Sequence, residues 1–259
     1  MCNKNYKRIE THIHSPFSNI RLLDAISEIE DTLLKAVELG LSGTALTEHE
    51  FIGSSVKYLQ IANKLKKEGK MPNDFKIILG NEIYLIDSLI ESRDNYQGGG
   101  KTKFPHYILL AKNARGHHAL RTLSSQAWLN SFYTGTMERV PAEKEFLWNT
   151  LQKEEFKGSL MATSACLGSE SSIHILAMNE AINNNDLELM EYHKNKLHDF
   201  INWNINLFGK DDFYLELQPS PDGEQRIVNE ELLKLSTEYD LKTIIANDVH
   251  YVRPEDREI

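Results

Sequence analysis

The chain has 259 residues, of which 41% are hydrophobic and 26% charged, and its formal net charge is −9. The length suits one α/β domain of barrel size, and the composition is that of an ordinary soluble globular protein. The negative charge argues against a broad basic surface for nucleic acid, so any nucleic acid must be held by a local site, by metal ions or by a partner. No apolar run approaches the ~20 residues that span a bilayer, and the two cysteines form no disulfide framework. We therefore expect a cytoplasmic protein with no membrane partner.

Strand-like and helix-like segments alternate along the chain. The first strand, "HIH", is followed by the helical pattern "LLDAISEIEDTLLKAVELG", the strand "GTALT", the helix "SSVKYLQIANKLKKEG" and the strands "FKIILGNEIYLI" and "HYILLAK". Next come the helix "ARGHHALRTLSSQAWLNSF", the strand "SLMATSA", a helical stretch over about residues 173–208 broken near "NNND", the strand "FYLELQ", the helix "EQRIVNEELLKLSTEYD" and the strand "KTIIAND". This alternation predicts parallel strands joined by helical crossovers, and seven strands favour a barrel over a small open sheet.

Two stretches show no regular pattern, namely "SRDNYQGGGKTKFP" (92–105) and "YTGTMERVPAEKEF" (133–146). The "GGGK" run in the first lacks the spacing and the Ser or Thr of a phosphate-binding loop, so we interpret it as a flexible insertion. No Gly-x-Gly-x-x-Gly motif follows the first strand, which argues against a dinucleotide-binding fold.

Residue types that bind metals fall at the predicted strand ends, where the active sites of parallel α/β barrels lie. His12 and His14 are one residue apart and share one face of an extended segment. Each candidate has an ordinary alternative, such as a satisfied core histidine for His106 or a small buried hydrophobe for Cys166. Their joint placement at successive strand ends favours a metal site; the candidates are His12, His14, Glu48, His49, Glu82, His106, Cys166, Asp248 and His250.

The mixture of ligand types indicates which metals would bind. Imidazole, carboxylate and one thiolate suit zinc, iron or manganese better than calcium or magnesium. The candidates exceed what a single ion can use, so we predict two or three ions. Sites of this kind activate water and clamp a phosphoryl group for in-line displacement.

Several motifs carry a resemblance to a known family. In chain order, "HIHSPFS", "ALTEHE", "GNEIY", "HYILLAKN", "ATSACLG" and "FYLELQ…IIANDVHYVRPED" resemble the motifs of the polymerase and histidinol phosphatase (PHP) domain. The cysteine motif and the final segment are similar to the N-terminal domain of bacterial DNA polymerase III alpha subunits. The resemblance implies a single PHP domain over residues 1–259, folded as a distorted seven-stranded (βα)7 TIM-like barrel with three divalent metal ions (zinc, manganese or iron) at the C-terminal ends of the strands.

The resemblance also implies a ligand set. The first ion would take His12, His14, Glu82 and Asp248; the second would take Glu82, His106 and Cys166; the third would take Asp24, His49 and His250. The implied catalytic residues are His12, His14, Glu82, Asp248 and His250.

Three acidic residues depart from the usual pattern of the family. Asp24 comes slightly later than the family spacing, and without the resemblance it is interpreted as a carboxylate at a helix N-terminus. Glu48 stands where the family usually has aspartate, and we expect it to orient a ligand histidine without binding metal. Glu50 replaces a usual glycine and could crowd the mouth of the site.

The resemblance implies a metal-dependent phosphoesterase, and we expect a 3′→5′ exonuclease that acts on DNA 3′ ends beside a replicative polymerase. The alternatives are a phosphatase of small substrates and a non-catalytic metal-binding module that supports the polymerase. The chain stops in what resembles a run leading into the rest of a DNA polymerase III alpha subunit, its expected partner. It shows none of the carboxylates of a polymerase site, so we expect no nucleotide polymerisation from it.

Overall fold

A computed structural model describes residues 8–19, 23–100 and 103–258. Within these ranges the strands are β1 (Ile9–Glu10), β2 (Gly43–Leu46), β3 (Lys76–Ile86), β4 (His106–Ala111), β5 (Phe132–Thr134), β6 (Met137–Arg139), β7 (Pro141–Glu143), β8 (Leu160–Thr163), β9 (Phe213–Leu217) and β10 (Lys242–Ile245). The helices are α1 (Ile29–Glu38), α2 (Ser55–Lys67), α3 (Leu89–Gln97), α4 (Ala114–Leu129), α5 (Lys144–Leu151), α6 (Glu170–Asn183), α7 (Leu187–Phe208) and α8 (Gly223–Tyr239). Among the described helices, none combines the length and apolarity needed to cross a membrane.

Seven of the strands form the wall of a barrel, in the order β1-β2-β3-β4-β8-β9-β10. β7 pairs with the carboxyl end of β3, and β5 and β6 form a separate hairpin. The segments that follow β1 and β10 meet where His14 N donates to Val249 O at 2.8 Å and Val249 N donates to His12 O at 2.9 Å. Glu10 adds a side-chain acceptor for Asn247 N at 2.9 Å. The predicted seven-stranded α/β barrel is therefore confirmed, and we call this junction the barrel seam.

The prediction that all the strands run parallel is wrong at β4. This strand pairs antiparallel with both β3 and β8, whereas β1, β2 and β3 are parallel to one another and β8, β9 and β10 likewise. His106 is the first residue of β4 and pairs with Tyr84 near the end of β3. The reversal therefore brings the amino end of β4 to the rim where its neighbours have their carboxyl ends.

Several element boundaries also differ from the prediction. β1 ends at Glu10, so the "HIH" segment follows the strand and only Ile13 makes an isolated bridge, to Val249. The first helix begins at Ile29, seven residues after the start of the predicted helical segment, and Asp24 lies outside it. The first irregular stretch includes the last residues of α3, and the second contains most of the β5–β6 hairpin. The "GGGK" run follows α3, and its Lys101 lies outside the described residues. The predicted break in the long helical stretch is confirmed between Asn183 and Leu187.

The helices bury apolar stripes against the barrel wall. Ile29 and Leu33 of α1 pack with Leu65 of α2 and with Phe75. A larger cluster joins β4, β8 and β9 to α4, α6, α7 and α8. Burying one such leucine or isoleucine contributes about 1.5–3 kcal/mol, so these contacts hold the rim that carries the polar side chains.

Candidate metal centre

His12 and His14 lie in the extended segment directly after β1, and both side chains are fully buried. Their Nε2 atoms each lie 3.2 Å from Oδ1 of Asp248, which follows β10. The two rings meet edge to face with centroids 5.1 Å apart. The barrel seam therefore brings the two ends of the described chain into one cluster.

The outer nitrogen of each ring is held by a hydrogen bond. Nδ1 of His12 lies 2.8 Å from Oε1 of Glu216, and Nδ1 of His14 lies 3.1 Å from Oγ of Ser18. Because Ser18 donates its hydroxyl proton to Glu48, its oxygen accepts from His14. Both rings then carry their proton on Nδ1 and present the Nε2 lone pair to the cluster, as metal-binding histidines do.

Glu82 lies at the middle of the cluster and is fully buried on β3. Its Oε1 is 2.6 Å from Nδ1 of His106, and its Oε2 is 2.5 Å from Nδ1 of His49 and 3.4 Å from Nε2 of His14. His49 reaches this position because the chain after β2 continues beside β3 and bridges to Glu82. One carboxylate thus faces histidines from three segments, the arrangement expected of a bridging ligand.

The Cys166 thiol completes a second group with Glu82 and His106. Its Sγ lies 3.4 Å from Nδ1 of His106 and 3.9 Å from Oε1 of Glu82. The turn that places it starts at Ala165, whose φ is +56°. A Cβ at Gly168 would lie 3.0 Å from the His106 ring, a tight contact that favours glycine at this position.

Asp24 faces the third group. Its Oδ2 lies 3.6 Å from Nε2 of His49 and 3.8 Å from Nε2 of His250. The ring of His14 stacks on that of His49 with centroids 4.1 Å apart and is tilted against that of His250 at 4.5 Å. All nine residues of the implied ligand set are therefore brought together.

The two glutamates of the "TEHE" motif lie beside the ligands. Glu48 is buried and accepts hydrogen bonds from the backbone N–H of Ser15 and from the hydroxyls of Ser15 and Ser18. It reaches His14 only through Ser18, so its effect on a ligand histidine is indirect. Glu50 is also buried, and its φ of +54° marks the turn that follows His49. Left-handed backbone at a non-glycine residue costs about 1–3 kcal/mol and is common at functional sites.

The ionisable groups of the cluster shift one another's pKa values. Burial opposes ionisation of Glu82, but His106 and His49 outweigh it and hold the pKa of Glu82 well below its usual range. Burial likewise disfavours protonated His49, yet Glu82 and Asp24 raise its pKa to about 10. Burial lowers the pKa of His14 to about 4. Ionised carboxylates inside a protein need positive charge nearby, which protonated imidazole or a bound cation can supply.

Unsatisfied polar atoms test whether metal ions fit. Buried polar atoms normally have hydrogen-bond partners, but six buried side-chain atoms of this cluster have none: His12 Nε2, His14 Nε2, Asp24 Oδ1, His49 Nδ1, Glu82 Oε2 and Asp248 Oδ1. The close pair His49 Nδ1 and Glu82 Oε2 lacks hydrogen-bond alignment, as two ligands of one ion would. Potential ligand atoms lie within 4.8 Å of one another in three sets: His14, His49 and His250; His12, His14 and Glu82; and His49, Glu82 and His106. The donors therefore fit several divalent ions, with imidazole, carboxylate and thiol chemistry suited to zinc, iron or manganese.

Glu216 and Ser18 contact ligand histidines but were not among the candidates from the sequence. Glu216 lies on β9, is 1% exposed, and accepts from Thr163 Oγ1 at 2.5 Å and Gln218 Nε2 at 3.0 Å as well as contacting His12. A glutamate in the otherwise apolar strand "FYLEL" was the available signal. Ser18 was missed for a different reason, since serine in a loop carries no such signal.

A barrel with clustered histidines and carboxylates at its rim is the architecture of metal-dependent hydrolases. The chain belongs to the PHP domain family, whose model matches residues 10–220.

Relatives of this chain are much longer proteins. It is 48% identical over 97% of its length to a Bacillus subtilis (strain 168) protein named "Probable DNA polymerase YorL". It is 35% identical over 96% of its length to the DNA polymerase III subunit alpha of Borreliella burgdorferi, and 32% identical over 95% to that of Helicobacter pylori strain 26695. The matched region is 19%, 18% and 18% of these relatives, so the chain spans about a fifth of their length.

Proposed function

We propose that this domain is a metal-dependent phosphoesterase that removes nucleotides from DNA 3′ ends, as part of a larger DNA polymerase. The observation that carries the proposal is the convergence of nine potential ligands, from His12 to His250 along the chain, on one largely buried cluster in which several ligand atoms have no hydrogen-bond partner. The names of the relatives support DNA as the substrate.

The residues of the chain have separable roles in this proposal. His12, His14, Glu82 and Asp248 would hold one ion; Glu82, His106 and Cys166 a second; Asp24, His49 and His250 a third. Bound divalent ions supply an activated water and neutralise the charge on phosphoryl oxygens. Glu216 and Ser18 keep His12 and His14 in the tautomer that binds metal, and Glu48 fixes Ser18.

The experiment is a primer-shortening assay on metal-loaded protein. A 5′-labelled single-stranded oligonucleotide is incubated with protein carrying manganese or zinc, and a ladder of products shortened from the 3′ end is the expected result. Asp248→Asn should abolish the ladder while circular dichroism stays unchanged. A chromogenic phosphate monoester is tested in parallel.

Three results would each contradict the proposal. Turnover of the monoester without any shortening would identify a small-substrate phosphatase. No turnover of either substrate at full metal load would identify a metal-binding module without catalysis. Shortening that persists in Asp248→Asn would show that the activity does not come from this site.

A further inference from the structure

The two stretches without a regular sequence pattern pack against each other. The guanidinium carbon of Arg139 lies 4.8 Å from the ring centroid of Phe104, and that of Arg93 lies 5.1 Å from the ring of Phe132. The two rings are themselves neighbours, with centroids 6.0 Å apart. On the same hairpin the side chain of Tyr133 is 63% exposed. We call Arg93, Phe104, Phe132, Tyr133 and Arg139 the hairpin patch.

The cations of the patch are held in place by local hydrogen bonds. Arg93 Nη2 donates to the carbonyl of Asn130 at 2.8 Å, and Arg139 Nε donates to Thr134 Oγ1 at 2.8 Å. The acidic residue of the hairpin, Glu138, accepts from Ser131 Oγ at 2.8 Å. Two positive charges are thus fixed against two half-buried rings, in a chain whose net charge is −9.

The patch adjoins the metal centre from two directions. Phe104 is two residues before His106, the ligand that begins β4. On the other side, Trp128 at the end of α4 donates its Nε1 proton to the carbonyl of Glu50 at 3.0 Å, next to ligand His49. The chain then runs from α4 directly into the hairpin.

We propose that the hairpin patch binds single-stranded nucleic acid just upstream of the 3′ end that enters the metal centre. Aromatic rings stack with bases of any sequence, and guanidinium groups attract backbone phosphates and stack on rings and bases. The net negative charge of the chain repels nucleic acid, so a local site with positive charge is needed to bind it. The inference rests on the proposed function and deepens it, because it names where the substrate strand lies.

Oligonucleotide binding tests the patch independently of turnover. Fluorescence anisotropy of a labelled oligo(dT) is measured with metal-loaded protein for Tyr133→Ala and Arg139→Gln. Matched controls are Tyr192→Ala, an exposed tyrosine on α7, and Arg226→Gln, an exposed arginine on α8. Tyr133→Ala should weaken binding at least about fivefold, the lower end of the loss for one base–aromatic stack. Arg139→Gln should lower the slope of log affinity against log salt by about 0.7, the value for one phosphate contact on a single strand.

The outcomes separate this inference from the proposed function. If both patch variants bind oligo(dT) as tightly as the two controls, the patch is not the binding site, whether or not primers are shortened. If they bind more weakly but the wild-type protein shortens no primer, the patch stands and the nuclease proposal fails. Should Arg139→Gln unfold the hairpin, Tyr133→Ala decides alone, because its exposed ring can be removed without a core cavity.

Discussion

At the scale of single residues, the geometry of the cluster depends on side chains outside the candidate ligand set. His12 and His14 offer Nε2 to an ion only because Glu216 and Ser18 occupy the Nδ1 positions. Glu216 is itself fixed by Thr163 and Gln218, so the orientation of His12 is set by a chain of hydrogen bonds reaching β8 and β9. Mutation of such hydrogen-bond partners typically lowers metal affinity or activity by roughly 10–100-fold.

Replacing Glu216 should therefore weaken metal binding without removing a ligand. We expect Glu216→Ala to lower zinc affinity by roughly 10–100-fold, measured by competition with a chromophoric chelator. Glu216→Gln should lose less, because its amide oxygen still accepts the proton of His12 Nδ1. Glu224→Gln, an exposed change on α8, is the control. Unchanged affinity in Glu216→Ala, with the fold intact by circular dichroism, would show that Glu216 only fills space.

The role of Cys166, as a metal ligand or as a buried core residue, can be decided by measuring metal content. Burial, reinforced by the Glu82 and Asp248 carboxylates, raises the pKa of its thiol well above the usual range, so without an ion the sulfur is protonated. Cys166→Ala should remove about one metal ion per chain, measured by elemental analysis. As a buried hydrophobe it would instead cost about 1 kcal/mol through a small cavity, with the metal-to-protein ratio unchanged.

At the scale of elements, the sequence predicted where the ligands fall but not how every strand runs. Short apolar runs that end in His, Glu or Asp correctly predicted that His49 and Asp248 lie at the rim of the barrel. The carboxyl end of a strand can be recognised in the sequence as the end of such a run. Strand direction leaves no such trace, so the reversal of β4 was not predicted, although His106 at the start of "HYILLAK" was among the candidate ligands. Asp24 was similarly obscured, since apolar residues before Ile29 continue the helical period although the chain there is not helical.

Close packing of α4 on the barrel gives a prediction at this scale. A Cβ on Gly116, in the first turn of α4, would lie 2.2 Å from the carbonyl oxygen of Ser159. Gly116→Ala should therefore displace α4 and lower the free energy of unfolding by about 1–3 kcal/mol or more. Gly223→Ala, in the first turn of α8 where a Cβ meets nothing within 4 Å, should leave it unchanged or raise it by up to about 1 kcal/mol. Denaturant melts of the metal-free proteins compare the two, and equal stabilities would contradict the packing argument.

At the scale of the whole molecule, the metal centre and the barrel seam are one structure. The ligands of the first group lie on both sides of the seam, with His12 and His14 after β1 and Asp248 after β10. In the described part of the chain, few backbone hydrogen bonds close the seam. The carboxylates and imidazoles on its two sides attract and repel one another, and a bound cation would change the balance of these interactions. An ion held by residues from both sides would join the two ends of the barrel, so metal binding and closure should be coupled.

Metal removal should accordingly loosen the seam before the rest of the barrel. A ligand bound only by the closed state stabilises that state by about 2.7 kcal/mol at 100 times its dissociation constant. Hydrogen exchange followed by mass spectrometry should show faster exchange of the His14 and Val249 amides after chelation, because their hydrogen bonds close the seam. The Ala162 amide, which donates to Asp212 O at 2.8 Å between β8 and β9, serves as the internal control and should change little. Exchange that accelerates equally at all three amides would mean that the ion stabilises the fold globally and that the seam has no separate opening.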